Sequence, residues 1–200
     1  MAVPSSYAPP MLALPSAERP RPRNLFNLGV LLAVTGGLMG VGALVAAWVN
    51  LSHFTKPWPP KGVTPNNYSG TMLALTMLMS AATVEWGVAS ARKDQRSQSV
   101  AGFALSIGLG LAFLNLLWFF GRRSGFGPSA SPYAVVLFTM LAVIGVAVAV
   151  GIVILLAVTM RVLGQQVGPG NMEMARAAGW FWQFVVLAWI VIYSTVWLFS

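Results

Sequence analysis

The fold of this chain turns on MLALTMLMSAATVEWGVASARKDQR, residues 72 to 96. The run holds about twenty apolar or small residues, long enough to cross a bilayer as a helix. One carboxylate, Glu85, stands within it, and it ends abruptly at a basic cluster of Arg92, Lys93 and Arg96. Short cytoplasmic loops collect Lys and Arg, so this edge sets the direction of crossing. Span count and orientation follow by reading outward from it.

Of the 200 residues, 57% are hydrophobic and 8% are charged, and the mean hydropathy is +0.74. Soluble domains carry about 25% charged residues. Charge this sparse identifies a polytopic membrane protein, because most of the chain must sit where charge is expensive. The net charge of +8 does not point to nucleic acid. The Lys and Arg residues lie at the edges of apolar runs, as membrane anchors do, and form no separate basic face. With no cysteine and one histidine, His53, the chain lacks disulfides, thiolate metal sites and the second imidazole of a bis-histidine haem. No metal site is expected.

Upstream, residues 1–23 (MAVPSSYAPPMLALPSAERPRPR) alternate prolines with Arg19, Arg21 and Arg23. Dense proline prevents a helix, so a flexible cytoplasmic tail is expected. Five spans follow, at about residues 25–51, 68–91, 100–120, 133–160 and 177–199, making one helical domain over residues 24–200. The expected architecture is an all-α bundle with the N-terminus cytoplasmic and the C-terminus outside. Arg122 and Arg123 fall on the outer side, against the positive-inside tendency. The tail, the 92–96 turn and the 161–176 loop outweigh those two arginines and support this orientation. There is no obvious internal repeat, so the signature of many transporters is missing.

Several side chains are candidates for more than greasy filling. Glu85 lies on the order of 9 Å inside the basic edge at 1.5 Å per residue. A carboxylate there handles protons, reaches towards Arg92, or fixes a neighbouring subunit, and the structural roles are favoured. No second acid in any span stands ready to exchange a proton with it. Gly36 and Gly40 form a small-xxx-small pair of the kind that lets helices approach closely. Asn115 and Gln183 are neutral polar groups suited to hydrogen bonding across helices. His53, beside Phe54 and Lys56, reads as a boundary residue. The tryptophans of the last span read as packing and anchoring groups.

Three stretches in order resemble subunit III of the haem-copper terminal oxidases, the cytochrome c oxidase subunit 3 family. GGLMGVGALVAAWV in the first span resembles the family's E-L-M-F-F-A-G-L-F-A-A-Y-F segment, and Trp58-Pro59-Pro60 and Gly62 follow it. The second span resembles the family's Ser-Ser-x-Thr-x-x-Trp-Ala helix through Ser80, Thr83 and Trp86. The last resembles its closing Y-W-H-F-V-D-x-V-W helix through Trp182, Phe184, Val185 and Trp189. Five spans would be the short bacterial form. The family's polar residues are replaced. Gly37 stands at one glutamate and Phe120 near another, Ile144 and Ala147 stand at paired histidines ahead of Gly151, and Gln183 and Val186 at a histidine and an aspartate.

The resemblance implies a subunit without a redox centre of its own, with haem and copper held by partner subunits. It implies packing against the catalytic subunit I, contact with phospholipid, and residence in a bacterial plasma membrane. An accessory or assembly subunit of a divergent oxidase or nitric oxide reductase is the alternative, followed by a small transporter.

Overall fold

The computed structural model describes residues 25–60 and 67–198. The proline-rich tail of residues 1–23, loop residues 61–66 with Gly62, and the last two residues lie outside them. Five helices carry the fold: α1 (Leu25–Phe54), α2 (Asn67–Arg92), α3 (Arg96–Arg123), α4 (Pro132–Leu163) and α5 (Glu173–Tyr193). A π-helical turn, Ser194–Leu198, closes α5. All five are long and apolar enough to span a membrane. Among the described residues the only β-type pairing is one isolated bridge between Gly168 and Asn171. The all-α, five-span architecture therefore stands.

Local chemistry fixes several ends. Ser131 caps α4, its hydroxyl accepting from the Ala134 N–H at 3.1 Å, and Pro132 occupies the first helical position. There the missing proline N–H costs nothing, since that donor has no partner inside the helix. The turn from α2 to α3 passes through Asp94 at φ +57°, a left-handed conformation that Asp tolerates better than most side chains.

Helix α5 is the centre of the bundle, packed on α1, α2 and α4, while α2 lies along α3. Only 11% of the most apolar stretch of α1 is buried inside the chain, against 28–44% in the other four helices. Helix α1 is thus a peripheral rod. Lipid tails give apolar side chains no reason to prefer one another, so close backbone approach has to hold the bundle together. The tightest case joins α2 to α3, where a Cβ added at Gly102 would lie 2.7 Å from the Cα of Gly87.

The small pair expected at Gly36 and Gly40 does not serve this purpose within the chain. A Cβ at either position meets nothing within 4 Å, whereas one at Gly37 would lie 2.6 Å from the Phe184 ring. At about 100° per residue, neighbouring glycines cannot share a contact face, and α1 turns the Gly37 side towards α5.

Candidate functional site: an aromatic hub and an exposed carboxylate

Trp182 of α5 sits at the middle of the bundle with no exposed surface. Its indole N–H donates to Ser80 Oγ on α2 at 3.0 Å, and the Ser80 hydroxyl passes a hydrogen bond on to the Met77 carbonyl at 2.7 Å. The ring needs space on two further helices, which glycines provide. A Cβ at Gly110 of α3 or at Gly151 of α4 would each fall 2.8 Å from the indole. One side chain thus meets α2, α3 and α4, with its polar atom satisfied. A second α2–α3 link stands nearby, where Thr83 Oγ1 and Ser106 Oγ lie 2.7 Å apart and Ser106 also donates to the Gly102 carbonyl.

Trp189 lies two turns further along the same face of α5, fully buried and edge-on to Phe113 at 5.1 Å between centroids. Its indole nitrogen has no hydrogen-bond partner among the described residues. At one end of the bundle Trp58 joins Trp48 and Tyr133, with all three centroid separations between 4.8 and 5.0 Å. This trio holds the Trp58-Pro59-Pro60 segment against α1 and α4. Trp48 and Tyr133 were not singled out in the sequence, because only the folded chain brings residues so distant together. Trp86, by contrast, is exposed on α2.

Glu85 is also exposed, on the flank of α2 that faces α5. Its polar contact is the Gln183 side chain, whose Nε2 lies 3.4 Å from Oε1 and also donates to the Ala81 carbonyl at 3.2 Å. The expected reach of Glu85 towards Arg92 is not what the side chain does. A neutral amide from α5 takes that place. Gln183 therefore makes the cross-helix contacts its polarity calls for, and Asn115 does not. Asn115 is exposed on α3, two residues past the buried Phe113 and so about 200° around the helix from it.

Among the described residues basic side chains are more numerous at one end of the bundle, five against the three of Lys56, Arg122 and Arg123, although Asp94 and Glu173 stand among the five. Arg92, Lys93, Arg96, Arg161 and Arg176 gather where α2 and α4 end and α3 and α5 begin. At the far end Arg122 lies over the Trp118 ring at 5.2 Å and Arg123 over Phe119 at 4.4 Å. Those cation–π contacts give the two arginines local partners at the end where the charge rule disfavours them. His53 is exposed at the same end, in the last turn of α1. Among the described residues, no three His, Cys, Asp or Glu side chains stand together in a way that could hold a metal ion.

The model of the family "Cytochrome c oxidase subunit III" matches residues 23–200. Among curated relatives, cytochrome c oxidase subunit 3 of Gallus gallus is 29% identical over 141 residues, covering 70% of this chain and 54% of the relative. The protein of that name from Strongylocentrotus purpuratus is 29% identical over 138 residues, covering 68% and 53%. That from Pelomedusa subrufa is 26% identical over 184 residues, covering 88% and 70%. The chain spans about half the length of the first two of these relatives. Matched along almost its whole length, the chain belongs to the cytochrome c oxidase subunit III family.

Proposed function

We propose that this chain is a non-catalytic membrane subunit of a haem-copper respiratory oxidase, packed against the catalytic subunit I in aerobic electron transport. The family match over residues 23–200 is the observation that carries the reading. In this reading haem and copper belong to the partner subunits and this chain contributes surface and phospholipid contact. With one histidine and no cysteine in the whole chain, its donor set suits that division. The motif residues Ser80, Trp182 and Trp189 are buried packing groups, as a scaffold requires. The basic end of the bundle faces the cytoplasm of a bacterial cell, which puts the N-terminus inside and the C-terminus outside.

Exposure of Glu85 favours contact with a partner. A carboxylate at membrane depth with one neutral donor is costly to leave against lipid. Because it lies on the order of 9 Å inside the basic edge, headgroups do not reach it, so a side chain from another subunit covers it. Affinity purification of the native complex tests the whole reading. Haem absorption and a stoichiometric catalytic subunit are expected to accompany the chain. Purification of the chain alone, or solute movement by it in empty liposomes, would overturn the proposal.

A further inference from the structure

Helix α3 carries an amide in the middle of its exposed face. Ala104, Gly108, Leu111, Asn115 and Trp118 follow one another in steps of four and three residues, and all five are exposed. Such steps keep them on one side of the helix. Phe113, by contrast, is buried edge-on against Trp189 of α5, so the Asn115 row looks away from the bundle. Glu85 stands beside Gln183 of α5. The surface around Asn115 is thus separate from the one around Glu85.

The Asn115 amide has no hydrogen-bond partner among the described residues. It lies seven residues before Arg122, on the order of 10 Å inside that edge of the span at 1.5 Å per residue. A polar group left against hydrocarbon at such a depth is costly. Its neighbours leave room for another helix. A shallow hollow of about 580 Å³ lies along the row, with Ala101, Ala104 and Gly108 in its walls. A Cβ added at Gly108 would meet nothing within 4 Å. Helix pairs in lipid use small residues for close approach and an amide for a hydrogen bond across the contact.

The amide also selects the partner. It both donates and accepts, so two copies of Asn115 satisfy each other, whereas an ionised carboxylate such as Glu85 only accepts. The basic residues at the span ends insert every copy of the chain in the same direction. Two copies related by a two-fold axis along the membrane normal then pair their α3 helices in parallel, and each residue near the axis meets its own counterpart. Asn115 faces Asn115, and Gly108 faces Gly108. Arg122, seven residues further on, lies at the membrane boundary, where its guanidinium rests over its own Trp118 ring at 5.2 Å and salt screens it from its twin. A single polar residue in an apolar seam fixes register and partner number.

We propose that the exposed face of α3 is a contact between two copies of this chain, closed by an Asn115–Asn115 hydrogen bond, which joins two complexes into a dimer. The dimer of complexes rests on the reading of the chain as an oxidase subunit, while the contact itself needs only the membrane crossing. The chain has no cysteine, which makes disulfide mapping in native membranes direct. Ala104→Cys and Leu111→Cys are each expected to give a disulfide-linked dimer of this chain on oxidation. Leu32→Cys, exposed on α1, is expected to give none. Native mass spectrometry of the purified complex then reads association. Asn115→Leu should weaken the dimer of complexes roughly tenfold, as expected for losing a cross-helix hydrogen bond in lipid, and Asn115→Gln should keep most of it. Haem content and subunit composition of the single complex should match those of the parent.

Cross-linking at neither α3 position, or equally at Leu32→Cys, would overturn the proposal. So would an Asn115→Leu complex that associates as the parent does, or one that loses a different subunit, which would put another chain on this face. Self-cross-linking at α3 in a chain that purifies without haem would uphold the contact and remove the oxidase reading instead.

Discussion

Trp182 concentrates more of the packing in one side chain than any other residue described above, since it meets Ser80, Gly110 and Gly151 on three helices. Trp182→Ala should therefore cost about 3–5 kcal/mol, the range for truncating a large buried aromatic. Ser80→Ala removes only the acceptor and should cost about 1–3 kcal/mol, because it strands the buried indole N–H. Thermal unfolding of the detergent-solubilised protein, followed by tryptophan fluorescence or loss of monodispersity, ranks the two. A Ser80→Ala loss as large as that of Trp182→Ala would show that the hydrogen bond, not the fit of the ring, dominates. Tyr133 behaves in the opposite way. It is fully buried with its hydroxyl unpaired among the described residues, so Tyr133→Phe removes a desolvation penalty while keeping the ring between Trp48 and Trp58. The variant should unfold at the same or a higher temperature. A clear drop in Tm would reveal a partner for that hydroxyl.

Among the helices, a useful contrast is between glycines that touch a neighbour and glycines that do not. Gly102 faces the Gly87 backbone and has no room to give, so Gly102→Leu should push α2 from α3 and destabilise by at least the 1–3 kcal/mol typical of overpacking. Gly36→Ala meets open space and should stay within about 0.5 kcal/mol of the parent, as surface substitutions usually do. The same unfolding assay reads both, and an equal loss in the two variants would contradict the helix arrangement. These glycines also mark how far the sequence could be read. Apolar run length makes five helices legible, since a bilayer demands about twenty such residues for each crossing. Trp182 and Trp189 were legible through the family's closing motif, and Gln183 through its polarity within a span. Gly87, Gly102 and Gly110 were not, and Gly36 was chosen where Gly37 makes the contact. In a helix that is apolar all round, hydrophobic periodicity no longer separates the packed face from the lipid face. Which glycine turns inward is then set by the partner helix, and a single strand of sequence does not carry that information.

At the scale of the whole molecule, the open question of chemistry narrows to Glu85, the acidic side chain standing within a spanning stretch away from the helix ends. Two roles make different demands on it. As a contact with a partner subunit it needs to accept a hydrogen bond, which glutamine can still do in part and leucine cannot. As a proton carrier near the basic end it needs to ionise, which neither replacement does. Glu85→Leu should therefore release the chain from the complex on detergent washing, while Glu85→Gln keeps most of it bound. Subunit stoichiometry by denaturing gel or mass spectrometry measures this directly. Oxygen consumption of the Glu85→Gln complex then separates the roles. Turnover matching that of the parent is the expected result, because Gln183 Nε2 is a fixed donor and no second acid stands in the spans away from the helix ends to receive a proton. Slowed turnover in a fully assembled Glu85→Gln complex would instead make this carboxylate part of the proton path, and the scaffold would then contribute reactivity as well as surface.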